Sequence, residues 1–534
     1  MLSQVSAQSR RKIPVLLVAA AAAAAAACPS QGVQAQYPSH GCTWGSSNVN
    51  VYRNRGTIAA NGFSESEFLF DLQAAISEWN EESQTPGLLQ YAGDTTATTP
   101  TLGTILIDHQ NTWACSDNTS GKAFWGGSGS CATTSMSVIM VMQDSCNPGT
   151  PRQWRSGWSG LPHDGWGLSG AVGYEEVAVH ELGHMQGFLD WPGWLGVMSF
   201  IPNPHSNLQL YPNDILTLRS AEGTTSYRPR TMDSANGTSW SGLVAATTGA
   251  MVSSRVPGLS GQMPGSSPMR MAISEPYLRY APVRMGSHGS WSSHPAASSI
   301  GDVDAAVSVA TSTFGEMLVV WLDNCTNDVF ACDIDWAWTN NNGVSWSTGT
   351  ITAVAYARPT VEYDRFRDRF VLAYINASGS EVTTQSAPAI SGPAWSSPFG
   401  TGLAPYRYLG GMVFNSTGQG MLFAAADNSG SRGRIAQFTL GGTGSTYTVT
   451  GGNWLTSSSA RTNRSFGVGY SESQNRIVVL WKEWPFRVWR STRTGIGSLG
   501  YFSAPASFSS LSIASGVDVD INRTADRFVA AVSD

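Results

Sequence analysis

The C-terminal stretch of roughly three hundred residues repeats, and its period limits the folds open to this chain more than any other feature. Trp240, Trp291, Trp346 and Trp395 are each followed by Ser, and Trp454 and Phe502 continue the series at intervals of about fifty residues. A second marker keeps step: an apolar strand near Met269, Met317, Phe370, Met421, Ile477 and Phe528. Asp-Arg or Asn-Arg introduces the clearest copies, at Asp368-Arg369, Asn475-Arg476 and Asp526-Arg527. A unit of this length holding several short strands cannot bury its apolar face alone, so neighbours must cover it. The period therefore predicts an all-β propeller over 236–534 with about six blades. The copy near Met269 is the weakest.

The remainder is organised differently. A length of 534 residues suggests two to four domains. The charged fraction is low, and abundant Gly and Trp favour β-rich, loop-rich structure. A net charge of −6 without a basic patch gives no sign of nucleic-acid or membrane-surface binding. Arg10, Arg11 and Lys12 precede an apolar run over 13–27, too short for a membrane span, so 1–35 reads as an export signal. It ends either at 33–35 or at a lipobox-like stretch before Cys28, giving a secreted or lipid-anchored chain with no transmembrane segment once processed. Cys42, Cys115, Cys131, Cys146, Cys325 and Cys332 form an even set, which in an exported chain reads as disulfides. Cys325 and Cys332 are the expected local pair; the other four leave three connectivities open.

Between these regions, 36–225 is expected to be an α+β domain of a twisted sheet and three helices, joined to the propeller by a linker over 226–235. Ser64 and Glu67 form a capping box, and Phe63 with Phe68 a hydrophobic staple. Phe68, Leu69, Leu72, Ala75, Ile76 and Trp79 then follow helical spacing and predict a core face. Residues 105–107 and 138–142 read as buried strands. A second helix is expected over about 172–186. It carries His180-Glu181-Leu182-Gly183-His184, followed by Gly187 and Asp190. Residues four apart share one face of a helix, so His180 and His184 can grip one metal ion with Glu181 beside it. Gly187 can end the helix at positive φ, and Asp190 then arrives as a third ligand. Three protein ligands and one open position is the pattern of a catalytic zinc site.

These residues resemble the zinc-binding region of the metzincin metallopeptidases. Met198, in Val197-Met198-Ser199, stands where that family places its Met-turn, and 210–223 resembles the final helix of the matrixin branch. Asp190 in place of the usual His resembles the snapalysin branch; His205 is the rival third ligand. The resemblance implies an exported, monomeric zinc endopeptidase acting on protein or peptide. Glu181 would serve as general base, and the strand over 104–108 would hold an extended substrate. It also implies a structural calcium ion, for which Asp108, Asp117, Asp144 and Asp164 offer carboxylates without a readable loop motif. Thr339-Asn340-Asn341-Asn342-Gly343-Val344-Ser345-Trp346 resembles the Asp-box of sialidase-type propellers, with Asn341 where Asp is usual, and is read here as a stabilised turn. The propeller is expected to bind a glycan or another cell-surface ligand. Two other readings stand beside the peptidase: a sialidase-type glycosidase in the propeller, and a non-catalytic adhesin. Arg358, Arg369, Arg476 and Arg527 sit beside strands in repeated positions, which blade structure alone predicts.

Overall fold

Period-two apolar runs dominate the fold. The computed structural model describes residues 48–55, 65–82, 89–110, 121–125, 136–141, 153–155, 171–189, 229–241, 244–245, 258–260, 269–274, 278–284, 287–288, 292–293, 307–326, 331–341, 343–355, 358–377, 381–403, 406–426, 434–456, 462, 466–483, 487–496, 499–512 and 517–533. The export signal, Cys28, Cys42, Cys115, Cys131, Cys146, Asp117, Asp144, Asp164, Asp190, Met198, His205 and the expected third helix lie outside these residues. Among the described residues no helix is long and apolar enough to cross a membrane.

The N-terminal region is built on a five-stranded sheet, β1 (Val49–Asn54), β2 (Leu89–Thr95), β3 (Thr104–Gln110), β4 (Gly121–Trp125) and β5 (Met136–Val141), in the order β2-β1-β3-β5-β4. The first four neighbours run parallel; β4 alone is antiparallel, on the edge beside β5. β3 therefore pairs on both sides, as its continuous apolar run requires. It has no free backbone edge for a substrate, which corrects the placement over 104–108; among the described residues the outer strands are β2 and β4. Two helices are described, Glu65–Glu82 and Tyr174–Met185. Phe68, Leu72, Ala75, Ile76 and Trp79 of the first are fully buried, and the Trp79 indole N–H donates to the Val179 carbonyl of the second at 2.8 Å. That bond ties the two helices together over the sheet.

The propeller then closes as a ring. Four successive sheets run 308–355, 360–400, 406–454 and 467–512, each of four antiparallel strands in chain order. A fifth four-stranded sheet joins Val517–Asn522 and Arg527–Ser533 to Pro229–Ser234 and Val244–Ala245. Pro229–Ser234 falls inside the stretch expected as a linker, yet it supplies the third strand of this closing blade. A further sheet of short strands, 258–293, completes the circuit; its second strand holds Met269, the weakest copy of the repeat. In every sheet the second marker of the sequence repeat lies at or near the start of the second strand. Apolar clusters fill the spaces between successive blades: Leu318, Val320 and Ile334 meet Phe370 and Leu372, and Phe423 and Leu455 meet Val479 and Trp481. Every blade thus covers its neighbour's apolar face, as the period demands. Cys332 is disulfide-bonded, in a hairpin whose other strand, Met317–Thr326, contains Cys325.

One turn is solved repeatedly. Where the first strand of a blade turns into the second, the residue at the strand's end or just past it caps the loop: Ser312 Oγ accepts from Phe314 and Glu316, Asp364 Oδ1 from Phe366, Asn415 Oδ1 from Thr417 and Gln419, Ser471 Oγ from Gln474, and Asn522 Oδ1 from Ala525. Asp368, Asn475 and Asp526 end three of these loops at φ of 52°, 46° and 49°. Asp and Asn tolerate this left-handed geometry better than other side-chain-bearing residues, which explains why they precede Arg in the repeat. The arginines that follow join the frame: Arg369 donates to Ser386, Arg476 to the Asn236 carbonyl, and Arg527 pairs with Asp233. Asn341 and Asn236 behave as turn residues, accepting from the backbone N–H of Ser345 and Ser239, while Trp346 and Trp240 donate to the carbonyls of Gly343 and Gly237.

Candidate functional sites

The helix Tyr174–Met185 brings His180, Glu181 and His184 together as its periodicity requires. The rings of His180 and His184 meet edge-on with centroids 4.9 Å apart. His184 Nδ1 lies 2.8 Å from the Phe188 carbonyl oxygen, to which it donates; its Nε2 is thereby left as the acceptor, the tautomer a metal ligand uses. That carbonyl is aimed back by the helix end. Gly187 takes φ of 102°, and its N–H and that of Phe188 donate to the carbonyls of His184 and Gly183. The edge strand β4 lies directly over Glu181: a Cβ at Gly121 would stand 2.8 Å from Glu181 Oε1 and 2.4 Å from Val177 Cγ1. Both faces of this helix are buried, Val177, His180, Glu181 and His184 as well as Ala178, Leu182 and Met185. No group of three or more His, Cys, Asp or Glu side chains that could hold a metal ion is found among them.

A buried polar network beside this helix carries no sequence motif. His109 on β3 sets Nδ1 at 2.7 Å from the Asn54 carbonyl and Nε2 at 2.8 Å from the Tyr174 hydroxyl. Burial holds the imidazole down to a pKa of about 4, so it is neutral at pH 7. Arg53, fully buried on β1, is gripped by both carboxylate oxygens of Asp94, at 2.8 and 3.0 Å. Burial works against its charge, but the Asp94 bonds outweigh that and hold the guanidinium pKa above its ordinary value. In turn Arg53 pulls the Asp94 carboxyl below the usual range. Asp108, offered as a calcium ligand, is buried on the central strand.

The other candidate site lies where the blade hairpins converge. In the five described hairpins the first residue after the capping position is Thr313, Arg365, Ser416, Glu472 and Arg523. Arg365 pairs with Glu472, two blades away and past the intervening one. Glu472 also accepts from the Ser416 N–H. Only residues pointing toward the ring's axis can meet in this way. Below them, Glu362 is pushed well above the carboxyl range by burial and then by Asp520, while Arg523 pulls it down. Deeper still, Arg358 meets Asp518 at 3.5 Å and donates to the Val307 carbonyl at 2.6 Å. Phe314 and Phe366, the next residues in two neighbouring hairpins, are 70% and 61% exposed. The Arg367 guanidinium lies 5.3 Å from the Phe366 ring centroid.

No family model matches the chain, and no curated protein does. Solved structures match at low similarity. A fucose-specific lectin from Aleuria aurantia shares 14% identity at a TM-score of 0.35, covering 50% of this chain and 84% of its own. The BP39L lectin from Burkholderia pseudomallei shares 13% at 0.35, covering 54% and 80%. An exo-β-1,3-galactanase from Phanerochaete chrysosporium shares 12% at 0.32, covering 46% and 60%. At such scores the assignment of the propeller rests on its own strand pairing. The comparisons give the zinc endopeptidase expected from the histidine motif, with its peptide substrate, no support, and it is withdrawn.

Proposed function

We propose that this protein is a non-catalytic binding protein, adhesin-like, whose propeller presents a glycan-binding mouth. The observation that carries the reading is the convergence of Arg365, Ser416, Glu472 and Arg523 from separate blades, with the exposed Phe314 and Phe366 next in the chain to the axial residues of two hairpins. Sugar rings are recognised by this combination: an aromatic face takes their C–H surface while charged and hydroxyl groups meet their hydroxyls. Export to the cell exterior, by secretion or through a lipidated Cys28, belongs to the same proposal. Titration of the full chain with a panel of neutral and acidic mono- and oligosaccharides tests it. Saturable binding that Phe366→Ala weakens supports the reading; absence of binding across the panel at millimolar concentrations rejects it.

The histidine helix carries a narrower proposal, a metal site. His180 and His184 would supply nitrogens to a zinc ion, and Asp190 the third ligand. The hydrogen bond from His184 to Phe188 supports it, because it prepares Nε2. Metal analysis of the purified chain beside His184→Ala is the check, with stoichiometric zinc in the first and loss in the second expected.

A further inference from the structure

We propose that the axial mouth binds one anionic group, a carboxylate or sulfate ester borne by a sugar, between the guanidinium groups of Arg365 and Arg523. The anion follows from the mouth's two guanidinium groups and their unused donors; only the sugar that bears it rests on the glycan-binding reading.

Three observations converge. First, hairpin geometry brings two arginines to the same turn position in two blades, and they are close enough that Arg523 lowers the pKa of Arg365, after the larger effect of burial. Like charges held together in a half-buried opening repel, and an anion between them removes that cost. Second, their donors are incompletely used. Nε of Arg365 and Nε of Arg523 are both buried atoms without a hydrogen-bond partner among the described residues. A guanidinium presents its donors as a fork matched to carboxylate and sulfate oxygens. Third, the acidic groups nearby are largely committed elsewhere. Glu472 neutralises Arg365 and accepts from Ser416; Asp520 accepts from the Ile521 N–H at 2.7 Å. Glu362 accepts from the Tyr363 N–H at 3.0 Å, and its raised carboxyl pKa favours the neutral form beneath Arg523. Taking Arg365 and Glu472 as a cancelling pair leaves Arg523 opposed by Asp520, and the Arg523 Nε, which has no partner among the described residues, for a ligand. Phe314 and Phe366 directly follow the axial residues of two hairpins and are exposed, so an anion with an attached sugar ring has an aromatic surface within the same turns that a bare ion would not use.

Calorimetric titration of the full chain with matched pairs tests this: glucuronate against glucose, galactose 6-sulfate against galactose, and inorganic sulfate alone. At least one acidic sugar should bind about tenfold or more tightly than its neutral partner. Arg523→Gln should remove that advantage. Glu472→Gln, which leaves Arg365 without its internal partner, should strengthen it. Which acidic pair shows the advantage identifies the anion's source. Sulfate binding that Arg523→Gln abolishes, with no sugar bound, keeps the anion site and rejects the glycan reading. Equal affinity within both pairs, unaltered by Arg523→Gln, overturns the anion site and keeps the glycan reading. No binding by any of the five probes overturns both. If Arg523→Gln fails to fold, the acidic-to-neutral ratio on the unaltered chain decides alone.

Discussion

The propeller and the N-terminal sheet solve the same problem in opposite ways. Each must end strands, cap backbone groups and bury polar side chains. The propeller meets each need several times with interchangeable residues: Ser312, Asp364, Asn415, Ser471 and Asn522 all cap the same turn. The described part of the N-terminal region meets each need with its own device. Arg53 is clamped by Asp94 with Glu65 beside it, His109 meets the Tyr174 hydroxyl, and the Trp79 indole bridges the two helices. Redundancy spreads the effect of a substitution, whereas single-copy networks concentrate it. The exception within the ring is its closure, which also happens once, through Pro229–Ser234 pairing with Arg527–Ser533.

The largest effect is expected at that closure. A chain beginning at residue 236 lacks the third strand of the closing blade and leaves Arg527–Ser533 as an unpaired edge. A chain beginning at 226 retains it. Size-exclusion chromatography should give a monomer for the longer chain and aggregate for the shorter one. Equal behaviour of the two would mean that ring closure is not what distinguishes this blade from the others.

Next comes the indole bridge. Trp79→Ala removes a fully buried side chain and its bond to Val179, a class of change that costs about 3–5 kcal/mol. Denaturant unfolding should show the N-terminal transition shifted by that amount. The apolar cluster around Trp79 also includes Leu259, Met269 and Met271 of the first blade and Val529 and Ala531 of the last. A propeller transition that shifts equally would show that this cluster makes the two regions one cooperative unit, and the contrast would fail for stability.

Much of the architecture was legible because it is local or periodic. Phe68 to Trp79 at helical spacing, the strand over 105–107 and the second-strand markers depend on neighbours a few residues away, and all are found as expected. His180, Glu181 and His184 share a buried helix for the same reason. What escaped was long-range. No period announces that Pro229 pairs with Ser533, that His109 meets Tyr174, or that Arg365 reaches Glu472. One missed signal was present: a polar residue at the end of the first strand, then Asp or Asn four residues later, marks three of the five described hairpins and places the axial side chain between them, while Gly315 and Gly418 take the positive φ in the other two. The zinc peptidase reading erred in a different way, by carrying a chemical outcome from a motif that fixes only which side chains share a helix face.

A third test uses acidity. His109 is buried neutral with a pKa near 4, against an unfolded value of 6.5. As pH falls from about 6.5 to about 4, the unfolded chain takes up a proton that the folded site refuses, so stability declines with falling pH across that window. The expected loss is about 3 kcal/mol for this group. Asp94 adds to the decline lower down: its depressed pKa contributes stability above the unfolded value that is lost as pH falls through the folded one. Unfolding midpoints measured from pH 7 to pH 4 should therefore fall more steeply for the N-terminal region of the parent than for His109→Gln. Parallel slopes would place the acid sensitivity elsewhere.

The smallest effect should come from the repeated turn. Asp526 sits at φ of 49° in the left-handed region, where a residue without a short polar side chain is disfavoured by about 1–2 kcal/mol. Asp526 also accepts from Ser471 in the neighbouring blade at 2.7 Å. Asp526→Ala loses the contact and meets the backbone penalty; Asp526→Gly loses the contact but fits the backbone freely. The alanine variant should cost about 1–2 kcal/mol by denaturant unfolding and the glycine variant less, with ligand titrations at the axial mouth unchanged in both. Asp368→Ala should repeat this result one half-turn of the ring away, because the same geometry recurs there at φ of 52°. If one alanine variant unfolds the propeller and the other is silent, the turns are not interchangeable. The redundancy that separates this ring from the single-copy N-terminal network would then be a property of its appearance and not of its energetics.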